Sequence, residues 1–372
     1  MKALAVLPDG NTIDHVRWLA LWNPEVAWKV VGVGPDCQHE PMEWADAIEC
    51  LDCDWKEIRN YPQEPNPIQL STFCNYEQAC VDLRSPLLRY WFHVHIEEIA
   101  EGMHKLLNVV QEWIGDADAL VTWGERGWYN ELAIHEAERQ GKPVCRLERA
   151  TFPGMFVADG TGLEQSRCDL SRCHDVCWSG TPWDRVGFSG ISPRTALDRW
   201  LSVAPWQNIA SQPRTTIGMA KQATDNKPSV FVPLQVSVDT NMIFRTDAIR
   251  NNYGLLEYVR TAYPDHQIIV KKHPGDGFTS DEVLMAYCDA HGMALVNMAT
   301  HSLLQCVDKV VSINSQVIIE AWMHGLRPEI LGQPAFDLPD EEDKDALLYT
   351  LRFAYYIEPW QFTERLKRIV GR

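Results

Sequence analysis

At 372 residues the chain exceeds what one hydrophobic core usually organises, so two domains are expected. Its 45% hydrophobic and 23% charged residues are those of a globular protein, and no run approaches the ~18 apolar residues that span a membrane. With 51 acidic against 34 basic residues the net charge is -17, which excludes a global field for holding a nucleic-acid backbone and leaves any anionic ligand to a local device.

The start, MKALAVLPDG, offers five apolar residues before Pro8 and Asp9 and reads as a first β-strand, too short for the core of an export signal. Short apolar runs at residues 3–7, 28–31, 119–122 and 143–147 alternate with helix-length amphipathic stretches, the pattern of a parallel sheet covered by helices. Residues 1–206 are therefore expected to form an N-terminal Rossmann-like domain. Residues 207–228 are polar, aperiodic and end in TDNKP, a linker signal. The strand signal returns at 230–233, 267–271, 294–296 and 309–312, with helical patterns at 247–262, 280–291 and 316–324, giving a second Rossmann-like domain over 229–340. Helices within 341–372 are candidates to cross back to the first domain. The basic, amphipathic segment 362–372 admits two readings, a helix packed on the fold and a surface touching an anionic membrane. The fold class is α/β, with two doubly wound domains expected to face a central cleft at the carboxyl ends of their strands, where such sheets bind ligands.

Eleven cysteines, an odd number without dense spacing, fit a reducing compartment, and a cytoplasmic location is expected. Cys50 with Cys53, and Cys168, Cys173, His174 and Cys177, look superficially like zinc ligands, but the paired short spacings of structural zinc are missing and no metal is expected.

Four polar clusters stand just after predicted strands. Lys271, Lys272, His273, Pro274 and Gly275 offer positive charge to a phosphate or carboxylate, or form a solvated basic turn. Ser312, Asn314, Ser315 and Gln316 lie between a strand and a helix, where hydroxyls and backbone N–H groups make an anion site, although Ser315 serves equally as a plain N-cap. Glu320 sits one turn, roughly 5 Å, further on, within reach of a ribose on a bound phosphate, or is a buried carboxylate with structural donors. Gln235 and Asp239 leave the first strand of the second domain, where a carboxylate acts as nucleophile or base, or simply forms a turn. In the first domain Glu125 and Arg126 follow one strand and Glu148 and Arg149 the next. They are suited to deprotonating an acceptor hydroxyl and pairing an acid substrate, or to surface ion pairs.

Four segments in order, LVTWGERGWYNELAIHEAERQGKPVCRLERATFPGMFVADGTG, SVFVPLQVSVDTN, IIVKKHPGD and VVSINSQVIIEAWMHGLRPEILGQPAFD, span residues 120–337 and resemble the capsule polysaccharide biosynthesis family. The similarity is strongest to bacterial retaining β-Kdo glycosyltransferases acting on lipopolysaccharide or capsule saccharides. It implies a GT-B-like arrangement, CMP-Kdo as donor, a saccharide acceptor that is free or lipid-linked, and no further cofactor. By motif match, Lys272 and His273 would address the donor's phosphate or carboxylate, and Ser312, Asn314, Ser315 and Glu320 would bind CMP. Asp239, in PLQ-x3-D, would be the nucleophile and Glu148 the acid/base, although Arg149 and Ala150 stand where the family more often has Asp-Gly or x-Gly. CMP-Kdo presents two anions close together, which gives both the KKHPG turn and the helix-start site a task in an acidic protein. No DxD run stands where a metal-bound nucleotide sugar needs one. Transfer of another CMP-linked acid sugar, nucleotide-sugar epimerisation and a non-catalytic GT-B-like assembly module are the alternatives. Transfer implies work in the cytoplasm, with the cytoplasmic face of the inner membrane as a further location.

Overall fold

The computed structural model describes residues 1–7, 10–33, 43–51, 96–124, 128–152, 154–161, 227–236, 242, 249, 251–277, 279–333, 348, 351 and 355–371. The chain divides into two compact units, Met1–His174 with Phe353–Arg372, and Asp175–Arg352. The division falls outside the described residues, as does the expected linker apart from Lys227 and Pro228.

In the first unit the strands are β1 (Lys2–Leu7), β2 (Ala27–Gly32), β3 (Ala47–Cys50), β4 (Ala119–Trp123), β5 (Val144–Arg149) and β6 (Phe156–Asp159), in the order β3-β2-β1-β4-β5-β6. Neighbours are parallel except β6, which runs antiparallel to β5 along the edge. Successive residues of β1 point to opposite faces, and both faces are dry. Leu4 and Val6 join Leu106, Val110 and Ile114 of α2 (Ile96–Ile114) and Leu132 and Ala133 of α3 (Trp128–Arg139). Ala3, Ala5 and Leu7 join Ile13, Val16 and Leu19 of α1 (Gly10–Trp22).

The closing helix, residues Phe362–Val370, seats Phe362, Leu366 and Ile369 in that second core, at the i, i+4, i+7 spacing of one helix face. Asn23 ties it down. Its Nδ2 donates to the carbonyls of Leu19 and Pro359, both at 2.7 Å, and its Oδ1 accepts from the Thr363 amide at 3.0 Å. The apolar face of the basic segment is thus buried in the first unit. Among the described residues no helix is long and apolar enough to cross a membrane.

The second unit alternates β7 (Ser229–Pro233), α4 (Asn252–Ala262), β8 (Gln267–Lys271), α5 (Asp281–Ala290), β9 (Ala294–Leu295), α6 (Thr300–Leu304), β10 (Lys309–Ser312), α7 (Val317–Met323) and β11 (Glu329–Ile330). The sheet is all parallel in the order β11-β10-β7-β8-β9. β7 is buried throughout, with Val230 and Val232 in one core and Phe231 in the other. Asn251 and Ser280 cap α4 and α5 by accepting the Gly254 and Val283 amides, which sets where both helices begin. The order of strands reverses between β7 and β10, the topological switch point at which open α/β sheets hold ligands beyond their carboxyl ends.

Candidate functional site

At that switch point the chain ends of β7 and β10 are strapped together. Gln235, buried, donates from Nε2 to Asn314 Oδ1 at 2.9 Å, and its Oε1 accepts the Asn314 amide at 3.3 Å. Its own backbone is held by Asn252 at the start of α4: Asn252 Nδ2 donates to the Gln235 carbonyl at 2.8 Å, and the Gln235 amide donates to Asn252 Oδ1 at 3.2 Å. Beyond Asn314 the loop closes on itself, with the Ser315 amide donating to the Ser312 hydroxyl and the Val317 amide to the Ser315 hydroxyl, both at 3.3 Å. Ser312 is fully buried, whereas Asn314 and Ser315 are half-buried and Gln316 is exposed.

Lys271, the last residue of β8, is buried and donates from Nζ to Thr300 Oγ1 at 2.9 Å. Burial lowers its pKa against the attraction of Glu320, and burial raises the Glu320 carboxyl to about 7 against the attraction of Lys271. Burial thus acts on both groups and each feels the charge of the other, although part of the Glu320 residue still reaches the surface.

The KKHPG turn divides its cations. Lys272 turns away from Lys271 and donates to the Asp281 carboxylate and the Thr279 carbonyl. His273 is exposed, and its Nδ1 accepts the Gly275 amide at 3.0 Å, so a neutral ring carries its proton on Nε2. His301 and His324 bond ring to ring at 2.8 Å, placing two imidazoles one residue from Thr300 and one helical turn from Glu320. Asn252, Thr300, His301 and His324 are all additions to the residues that the sequence singled out.

In the first unit β4 ends at Trp123, and Gly124 turns the chain with φ 79°, a conformation that favours glycine. Glu148 and Arg149 close β5; Glu148 is half-buried and its Oε1 accepts the Arg149 amide at 2.9 Å. Arg149 is exposed and reaches His15 of α1, Nε to Nε2 at 2.8 Å. Asp239, Glu125 and Arg126 lie outside the described residues. So do Cys53, Cys168, Cys173, His174 and Cys177, and among the described residues no group of three or more His, Cys, Asp or Glu could hold a metal ion.

The Glu320 carboxyl gives a pH test. Its folded pKa is raised from 4.5 to about 7, so the folded state binds this proton more tightly than the unfolded chain. Stability is fully present below about 4.5 and is lost as pH rises towards 7. Urea unfolding of Glu320→Gln at pH 5 and pH 8 should show the variant losing less stability than the wild type, by roughly 2–3 kcal/mol at most. Parallel losses in the two proteins would show that this carboxyl ionises as it does in water.

Two doubly wound α/β units in one chain, one of them with a strapped polar loop at its switch point, define a protein of the doubly wound α/β class. Residues 207–344 match the family model of capsule polysaccharide biosynthesis proteins, the family that the motifs resemble. Protein FixF of Sinorhizobium fredii is 23% identical over 246 residues, covering 64% of this chain and 55% of FixF, so the match spans about half the length of that curated relative. Among solved structures, the β-Kdo 2,7 transferase of Thermosulfurimonas dismutans KpsC has a TM-score of 0.44 at 19% identity, covering 72% of this chain and 89% of that one. The β-Kdo 2,4 transferase of the same KpsC gives 0.44 at 16% identity, covering 68% and 88%. The lipopolysaccharide outer core galactosyltransferase WaaB gives 0.34 at 11%, covering 99% and 95%.

Proposed function

We propose that the chain is a retaining glycosyltransferase that moves Kdo from CMP-Kdo to a saccharide acceptor in capsule or lipopolysaccharide synthesis. The observation that carries this reading is the convergence of Lys271, Glu320 and the Gln235–Asn314 strap at the switch point, inside the segment that the family model matches. In this reading the nucleotide lies over the Ser312–Gln316 loop, with its ribose hydroxyls against Glu320. Lys271 and the Nε2–H of His273 face the phosphate, and the buried Lys271 charge is worth most because water is scarce around it. Lys272 contributes field from its place beside Asp281.

The chemistry proceeds in two displacements. The Asp239 carboxylate attacks the anomeric carbon, a carbon–oxygen bond forms, and the bond to phosphate breaks with its electron pair leaving on CMP. Glu148 then takes the proton of an acceptor hydroxyl, whose oxygen attacks the same carbon and expels the Asp239 carboxylate. Two inversions give net retention. Arg149, with Glu125 and Arg126, would meet the acceptor.

CMP alone should raise the melting temperature, because ligand at 100 times its Kd adds about 2.7 kcal/mol to stability. Ser315→Ala and Glu320→Ala should each shrink that rise, measured by thermal shift with calorimetric CMP titration. Wild-type CMP affinity in both folded variants would remove the nucleotide from this loop.

A further inference from the structure

We propose that His15 is a positioning residue for the acid/base pair of the first unit, a role that rests on the reading of Glu148 given above. Three observations meet at this side chain. His15 lies in the middle of α1, far in sequence from β4 and β5, and its ring stacks on Trp123 with centroids 4.9 Å apart and planes 18° apart. The edge of Phe156, on β6, closes a second side at 6.2 Å. Its Nε2 takes the Arg149 guanidinium, from Nε at 2.8 Å and from Nη2 as well.

A guanidinium only donates and stays charged, so the nitrogen that receives it must offer a lone pair. In this geometry His15 is neutral, with its proton on Nδ1. The stack on Trp123 fixes the plane of the ring, the ring fixes the guanidinium, and the Arg149 backbone amide holds Glu148 Oε1 at 2.9 Å. Arg149 is exposed and Glu148 half-buried at a strand end, where side chains of this length otherwise sample several rotamers. His15 thereby holds the Glu148–Arg149–Ala150 sequence in a defined arrangement. It reaches the reaction through Arg149 and Glu148 and touches no substrate itself.

Two variants separate the parts of this role. His15→Gln keeps an acceptor oxygen near the Nε2 position and gives up the stack, whereas His15→Phe keeps the stack and gives up the acceptor. Steady-state transfer from CMP-Kdo to a saccharide that the wild type uses should show His15→Phe losing ~10-fold or more in kcat, the scale expected for a misplaced catalytic group. Its CMP affinity, which belongs to the second unit, should stay at the wild-type value, and His15→Gln should recover most of the loss. A His15→Phe enzyme within twofold of wild type, or a His15→Gln enzyme as impaired as His15→Phe, overturns the proposal. If the wild type transfers nothing from CMP-Kdo, the functional reading fails and His15 is judged by nitrogen-15 NMR of histidine-labelled protein. The Nδ1–H tautomer, lost in Arg149→Ala, is the expected result, and an Nε2–H tautomer in the wild type overturns the proposal.

Discussion

Asp239→Asn should abolish transfer, lowering kcat on the order of 10³-fold or more while leaving the fold and CMP affinity in place. The change removes a negative charge with almost no change of shape, so what is lost in the proposed mechanism is the nucleophile, and removal of a nucleophile ranks among the costliest substitutions an enzyme can suffer. The substitution also discriminates against the plain alternative. Asp and Asn serve equally in turns, so a structural Asp239 would be replaced with little effect, and near-normal turnover in the variant would end the double-displacement account. Single-turnover assays of CMP release, with calorimetry of CMP binding alongside, make the comparison.

Glu148→Gln should slow transfer by ~10²–10⁴-fold, the range for loss of a general acid/base. Glu148 is half-buried and its Oε1 accepts the backbone amide of the next residue, a contact that the Gln carbonyl oxygen can reproduce. Stability should therefore change little. Because the first displacement of the proposed mechanism uses Asp239, the variant should accumulate one Kdo on the peptide that contains Asp239, seen by mass spectrometry. Transfer at the wild-type rate would take the proton-transfer role away from Glu148.

The two predictions draw on parts of the sequence that were legible for different reasons. Residues 267–271 and 309–312 read as strands and are strands, because each is a short apolar run whose length and flanking turn residues separate it from a buried helix segment. The strands without a signal in the sequence are edge elements. Ala47–Cys50 has no buried residue, Glu329–Ile330 is two residues long, and Phe156–Asp159 is a four-residue antiparallel strand among glycines and a proline. None is long enough to display a period. The helical pattern at 247–262 begins in the structure at Asn252, after the Asn251 cap.

At the site the same contrast holds. Lys271 to Gly275 and Ser312 to Gln316 are contiguous and follow strands, so their place at the sheet's carboxyl edge could be read from the chain. Their division of labour could not. That Lys271 goes inward to Thr300 while Lys272 goes outward to Asp281 depends on strand alternation and on two helices from elsewhere in the chain. Asn252, Thr300 and His15 act through tertiary contacts with residues 17, 29 and 134 positions away, for which no local spacing gives a sign.

Anomer-resolved NMR of the product formed from CMP-Kdo and a panel of saccharide acceptors tests the central claim most directly. The account predicts a new glycoside with the β configuration of the donor and one CMP released for each Kdo transferred. An α-linked product, or a donor that binds yet releases no CMP with any acceptor, would contradict it.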